Sequence, residues 1–240
     1  VHNGTRPVPE GLPPKDPEPS LVVLGRLVPH KRVEHAIEAV KVLQDEFPGI
    51  QLRVIGEGWW RPELEAEARR QGVADRVTFT GFIDEAAKEE LLSRSWLMLA
   101  PSVKEGWGLM VVEAGGHGVP AVAYRSAGGL AESIEDGVTG VLVDDLPEMS
   151  ETTRQILRDE PLRQKLGDGA KEYVGRFSWR TASTSMHMLL RRAASGLPAT
   201  CVIDPTARPG QPSTEGVKVE KKADGTLVVD LRDHEHEPPS

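Results

Sequence analysis

Glu105 and Glu113 stand eight residues apart in KEGWGLMVVEAGG, and Glu113 is the one unambiguous charge between Gly106 and Tyr124. An unpaired carboxylate buried in so apolar a run costs several kcal/mol, so its presence asks for a chemical reason. Glycines at 106 and 108 oppose helix before Gly108, which puts Glu105 on a loop at a helix mouth. Glu113 then falls in the second turn, four residues after Leu109 and on the same face. The helix N-terminus lies between the two carboxylates, with N–H groups that lack intrahelical acceptors. Carboxylates accept hydrogen bonds from vicinal diols and N–H groups take an anion, so the expected ligand carries hydroxyls and a phosphate. Singly, Glu105 is a surface charge and Glu113 the buried partner of an arginine. Placed together at one helix mouth, they are expected to face one crevice.

Two further turns carry suggestive residues. GRLVPHKR (25–32) collects Arg26, Lys31 and Arg32 between an apolar run and a helical pattern, and Gly25 lets the backbone turn closely. Such a loop is either a phosphate site or a solvated basic loop. GEGWWR (56–61) starts like a dinucleotide fingerprint but has Arg61 at the third glycine position, so a dehydrogenase is not expected. Gly56 and Gly58 are expected to allow close backbone approach, and Trp59 and Trp60 either pack or line a pocket.

Elements must position these turns. Apolar runs at 21–25, 51–58, 76–82, 96–102, 121–124 and 138–145 read as strands, and helical patterns at 33–47, 62–73, 84–95, 108–118 and 127–136 alternate with them. Asp84 is placed to cap the third helix. Six strands alternating with helices predict an α/β fold: a Rossmann-like parallel sheet covered on both faces, with ligands beyond the carboxyl ends of its strands. Two or three more helices are expected, near 147–158, 160–175 and 178–195. Residues 1–20, rich in proline, read as linker, and 196–240 as a polar, mostly disordered tail with a hairpin at 217–231 around Ala223-Asp224-Gly225.

Composition narrows the class. The 240 residues are 38% hydrophobic with a net charge of −8, which does not favour nucleic acid or an acidic membrane as partner. One cysteine, Cys201, excludes an internal disulfide and a cysteine-based zinc cluster. There is no apolar run long enough to span a bilayer and no apolar signal core in the first twenty residues. His30 and His35 read as surface residues, His117 as a helix-end residue, and His234-Glu235-His236 as a solvated run.

The motifs taken together are similar to the C-terminal domain of a glycosyltransferase family 4 enzyme of the retaining GT-B type. The matching segments are NGTRP (3–7), GRLVPHKR (25–32), LRVIGEG (52–58), VTFTGF (77–82), PSVKEGWGLMVVEAGGHGVPAVAY (101–124), AGGLAESIEDGVTGVLV (127–143) and FSW (177–179). The resemblance implies one half of a GT-B fold over residues 21–195. It implies that Arg26 and Lys31 hold the diphosphate of a nucleotide sugar and stabilise the leaving group. It places Glu113 on the ribose hydroxyls, Glu105 on the sugar hydroxyls, and the backbone of Gly106, Trp107, Gly108 and Leu109 on sugar and phosphate. The base is implied between Gly81-Phe82-Ile83 and Gly56–Trp59. Arg125 is a further candidate donor contact, and Glu132 either faces the ligand or is the exposed side of a short helix.

The implied reaction is hexosyl transfer with retention from GDP-mannose, UDP-glucose or UDP-N-acetylglucosamine, without a metal, in keeping with the lack of an Asp-x-Asp motif. A cytoplasmic location is expected, with any membrane contact made through an absent N-terminal domain that carries the acceptor site. The chain alone is therefore expected to transfer nothing. Gly115-Gly116-His117 departs from the family's Ala-Met-Ala, so the helix is expected to end there. The rival readings are a degenerate, non-catalytic GT-B module and a nucleotide-sugar epimerase. The intact Arg26, Lys31, Glu105 and Glu113 oppose the first, and the glycine-rich third turn and FSW oppose the second.

Overall fold

The computed structural model describes residues 4–194, 218–221 and 227–230. It divides into two compact units, Pro7–Val174 and the set Val1–Arg6 with Gly175–Ser240. The first unit holds a six-stranded sheet in the order β3-β2-β1-β4-β5-β6. Its strands are β1 (Ser20–Leu24), β2 (Gln51–Ile55), β3 (Val77–Gly81), β4 (Leu97–Ala100), β5 (Ala121–Tyr124) and β6 (Gly140–Val143). All five pairings are parallel, as the alternation of strands and helices predicts. The chain reverses direction along the sheet between β1 and β4, which is where such sheets place their ligand crevice.

Strand residues alternate strictly between two cores. Leu21, Val23, Leu97, Leu99 and Val122 face one, and Val22, Met98, Ala100, Ala121 and Ala123 face the other. Burial on both faces explains why these strands read as unbroken apolar runs. The first core is closed by α1 (Val33–Leu43), α2 (Arg61–Gln71) and α6 (Leu146–Arg158). The second is closed by α3 (Glu85–Arg94), α4 (Leu109–Gly116) and α5 (Leu130–Ser133). Asp84 caps α3 by accepting from the Ala87 N–H at 2.8 Å. α7 (Glu160–Val174) packs on α4, where the absent side chains of Gly115 and Gly116 leave room for Val174 and Ala170.

Residues 7–19 form no regular element, as their composition predicts, and side chains tie them to the domain. Lys15 donates to the carbonyl of Ser95 at 2.8 Å and of His117 at 3.1 Å. Asp16 pairs with Arg53, and its carbonyl accepts from the Trp96 indole at 2.7 Å. Proline-rich composition therefore signals an extended strap tied along the domain by side chains.

In the second unit, Thr5 donates its N–H to the carbonyl of Phe177 at 2.7 Å just before α8 (Trp179–Ala194). β7 (Lys218–Lys221) and β8 (Leu227–Asp230) pair antiparallel, the two arms of the expected hairpin. Cys201 and the 234–236 histidines lie outside the described residues, as does the segment read as disordered at 196–216. No helix among the described residues is long and apolar enough to cross a membrane.

His117 ends α4 as expected, but its imidazole is buried, with Nε2 2.6 Å from a Glu89 carboxylate oxygen. Burial, then the cations Lys15, Lys88 and Lys171, push it down to about 4, so at pH 7 it is neutral and donates Nε2–H to Glu89. A histidine whose folded value lies below its ordinary 6.5 adds stability that is present above about pH 6.5 and lost as the pH falls toward 4. Urea unfolding at pH 7 and at pH 4.5 is expected to show His117→Gln losing about 2 kcal/mol less than the native chain on acidification.

Candidate functional site

The carboxyl edge of the sheet is built from loops whose main chains touch. Gly25 and Gly56 have φ of 150° and 134°, and a Cβ on Gly56 would overlap the carbonyl of Gly25. A Cβ on Gly58 would overlap the carbonyl of Leu27. In this contact Leu27 donates to Glu57 at 2.9 Å and Trp60 donates to Leu27 at 3.2 Å. Gly56 also donates to Gly81 at 3.2 Å, so the loops after β1, β2 and β3 form one surface. Arg61, which breaks the dinucleotide pattern, has a structural task here. It donates to Glu57 at 2.6 Å and Glu65 at 2.8 Å, beside the space that the missing Cβ of Gly81 leaves.

The loop before α4 is held to the same surface from two sides. Val103 donates to the carbonyl of His30 at 2.9 Å, and Glu105 donates its N–H to the carbonyl of Ala127 at 3.0 Å. The Glu105 carbonyl accepts in turn from Gly129 at 3.2 Å. Gly108, in the left-handed region at φ 72°, then starts α4, so Glu105 lies on the loop and Glu113 inside the helix, as the glycine spacing predicts.

Glu105 forms an ion pair with Lys31, and both side chains are mostly buried. The ammonium of Lys31 lies over Gly25. A small depression at the switch between β1 and β4 is lined by Gly25, Arg26, Lys31, Ser102 and Met110. Basic side chains, a helix N-terminus and a carboxylate thus converge where the fold places a ligand, an arrangement that can hold an anion beside hydroxyls.

Glu113 is paired across to the neighbouring helix. Its carboxylate meets Lys88 of α3 at 3.1 Å rather than an arginine, and Lys88 also meets Glu85 at 2.8 Å. Burial opposes the charge of Lys88, but the bond to Glu85 and the field of Glu113 outweigh it and raise its pKa. Sequence reading missed Lys88, whose one signal is its place four residues after the Asp84 cap. Phe82 and Trp59 stand at the rim, 89% and 69% exposed, with Ile83 partly buried beside Phe82, so these two aromatics do not pack into the core. Arg125 is engaged away from the depression, donating to Asp136 at 3.1 Å and to the Leu142 carbonyl at 2.6 Å. His35 is half-buried rather than on the surface, with Nδ1 2.6 Å from the Tyr124 hydroxyl, whose pKa burial pushes up to about 12.

Residues 7–173 match the family model described as Glycosyl transferases group 1. Alpha-D-kanosaminyltransferase of Streptomyces kanamyceticus is 33% identical over 157 residues, which are 65% of this chain and 40% of that protein. The Anabaena protein HepE, solved in complex with UDP, superposes with a TM-score of 0.67 at 25% identity, covering 72% of this chain and 49% of that one. The C-terminal domain of the group 1 glycosyl transferase LpcC from Francisella tularensis matches at 26% identity and a TM-score of 0.59, covering 66% of this chain and 84% of that domain. The chain spans less than half the length of the curated relatives it matches.

The hold on Glu105 can be tested without touching its side chain. A Cβ on Gly129 would overlap the carbonyl of Gly106, whereas a Cβ on Gly106 meets nothing within 4 Å. Gly129→Ala is expected to cost about 1–3 kcal/mol in urea unfolding, and Gly106→Ala to stay within about 0.5 kcal/mol of the native chain.

Proposed function

The chain belongs to the glycosyl transferases of group 1, and on that premise we propose that it is the donor-binding, C-terminal half of a retaining family 4 hexosyltransferase. The observation that carries this is the Lys31–Glu105 pair at the β1/β4 switch, beside Arg26 and the first turn of α4. A nucleotide sugar presents a diphosphate between two polyols, and this group of residues has the matching order of charge. Arg26 and Lys31 take the diphosphate and stabilise it as it leaves. Glu105 accepts from hydroxyls of the transferred sugar, and the backbone from Gly106 to Leu109 donates to sugar and phosphate. Glu113 accepts from the ribose. The base rests between Gly81-Phe82-Ile83 and the segment Gly56–Trp59, where Phe82 and Trp59 are exposed.

Two cations at the diphosphate supply the positive charge that a metal would otherwise bring, so no metal is assigned. Retention follows if a donor phosphate oxygen takes the acceptor's proton on the face from which the nucleotide leaves. The acceptor site is assigned to an N-terminal domain, which is supported by the share of each relative's length that this chain covers. A cytoplasmic location belongs to the same proposal. The UDP complex of HepE makes a uridine donor the first to test, with GDP-mannose as the next.

Thermal unfolding with millimolar UDP, GDP or ADP tests the proposal. One nucleotide at 100 times its dissociation constant is expected to add about 2.7 kcal/mol, a rise of several degrees, and an Arg26→Ala/Lys31→Ala chain is expected to lose it. No rise with any nucleotide would overturn donor binding. Sugar transfer by the chain alone would overturn its assignment as half an enzyme.

A further inference from the structure

Lys88 of α3 forms an ion pair with Glu113, and the proposed function gives it no task. Its ammonium is 2.8 Å from Oε1 of Glu85 and 3.1 Å from Oε2 of Glu113. Lys88 is 15% exposed, less than either carboxylate it bridges. One residue on, Glu89 meets His117 at 2.6 Å. α3 thus presents Lys88 and Glu89 to α4's Glu113 and His117, and two adjacent bridges fix one helix against the other. The neighbours of Glu113 along α4, Val112 and Ala114, are buried. A carboxylate in that setting has a strong need for a fixed counter-charge.

Lys88 bonds to Oε2, and Oε1 of Glu113 has no hydrogen bond among the described residues. Glutamate has several rotatable bonds, and fixing it when a ligand arrives costs binding energy. A carboxylate already held through one oxygen avoids that cost and presents the other in a defined direction. It also repels an approaching diphosphate less, because its charge is shared with a cation.

We propose that Lys88 is a positioning residue for nucleotide binding: it holds Glu113 through Oε2 so that Oε1 accepts from the ribose hydroxyls. This rests on the reading of Glu113 as the ribose-binding carboxylate. Glu85 supports Lys88 from the exposed side, and Lys88 itself touches no part of the ligand.

Calorimetric titration of the 240-residue chain with UDP, GDP and ADP, each beside its 2′,3′-dideoxy counterpart, tests this. The native chain is expected to bind the ribonucleotide at least about tenfold more tightly than the dideoxy form, the scale of hydrogen bonds to a charged group. Lys88→Met is expected to weaken the ribonucleotide about tenfold and leave the dideoxy form unchanged, which removes the discrimination. Lys88→Arg, which keeps the cation, is expected to restore most of it. Full discrimination retained in Lys88→Met, or equal weakening of both ligands, would overturn the proposal while leaving donor binding intact. If Lys88→Met does not fold, Lys88→Gln is read by the same criteria. Failure of the native chain to bind any nucleotide would remove the donor-binding reading and this inference with it.

Discussion

The carbonyl oxygens of Gly25 and Leu27 lie where the Cβ atoms of Gly56 and Gly58 would be, and much of the candidate site depends on that contact. Because the loops after β1 and β2 meet main chain to main chain, their hydrogen bonds run between backbones. No side chain has to fill the gap. The loop with Arg26 and Lys31 is therefore fixed relative to the sheet by main-chain hydrogen bonds as well as by the buried side chain of Leu27. The same device recurs on the other flank, where Gly129 lies against the carbonyl of Gly106 and donates its N–H to the carbonyl of Glu105. A site that must align a charge to within fractions of an ångström gains from this, since main-chain contacts have few alternative arrangements.

Charge balance is the second constraint. Two carboxylates flanking the first turn of one apolar helix would repel an anion if left alone. Each meets a lysine from a different loop or helix, Lys31 for Glu105 and Lys88 for Glu113. Removing one partner of a mostly buried pair leaves an uncompensated charge and costs more than the pair contributes. The four residues therefore constrain one another, although they come from three separate stretches of sequence.

Much of this was legible in the sequence, for reasons that differ from element to element. The strands were visible because burial on both faces makes them continuous apolar runs, as in Leu21–Leu24 and Leu97–Ala100. The start of α4 was visible because Gly106 and Gly108 exclude helix, and Asp84 announced α3 through its cap. Lys88 was hidden because its partner is 25 residues away, and only the spacing of two helices on one face of the sheet brings them together. The contacts of the segment 7–19 were hidden for a related reason. Proline richness reports the lack of a regular element, but Lys15 and Asp16 tie the segment down through contacts as far as 102 residues along the chain. Arg61 likewise reads as a broken fingerprint until Gly81 is seen to leave room for its partner Glu57.

The lysine of the central pair and its neighbouring arginine are not equivalent toward an incoming diphosphate. Lys31 is already neutralised by Glu105 and mostly buried, so a phosphate gains from it only the difference between two partners. Arg26 is exposed and makes no ion pair among the described residues, so its charge is available in full, with two parallel donors to offer. In the proposed donor site, long-range attraction of the diphosphate would fall to Arg26, where salt screens it. Lys31, mostly buried beside Glu105, would act at contact. A phosphate drawing on Lys31 would weaken the lysine's hold on Glu105 and make that carboxylate a better acceptor for the hydroxyls of the proposed donor sugar. Binding of the anionic part of a donor would then improve recognition of its neutral part, through one shared lysine and without movement of the backbone.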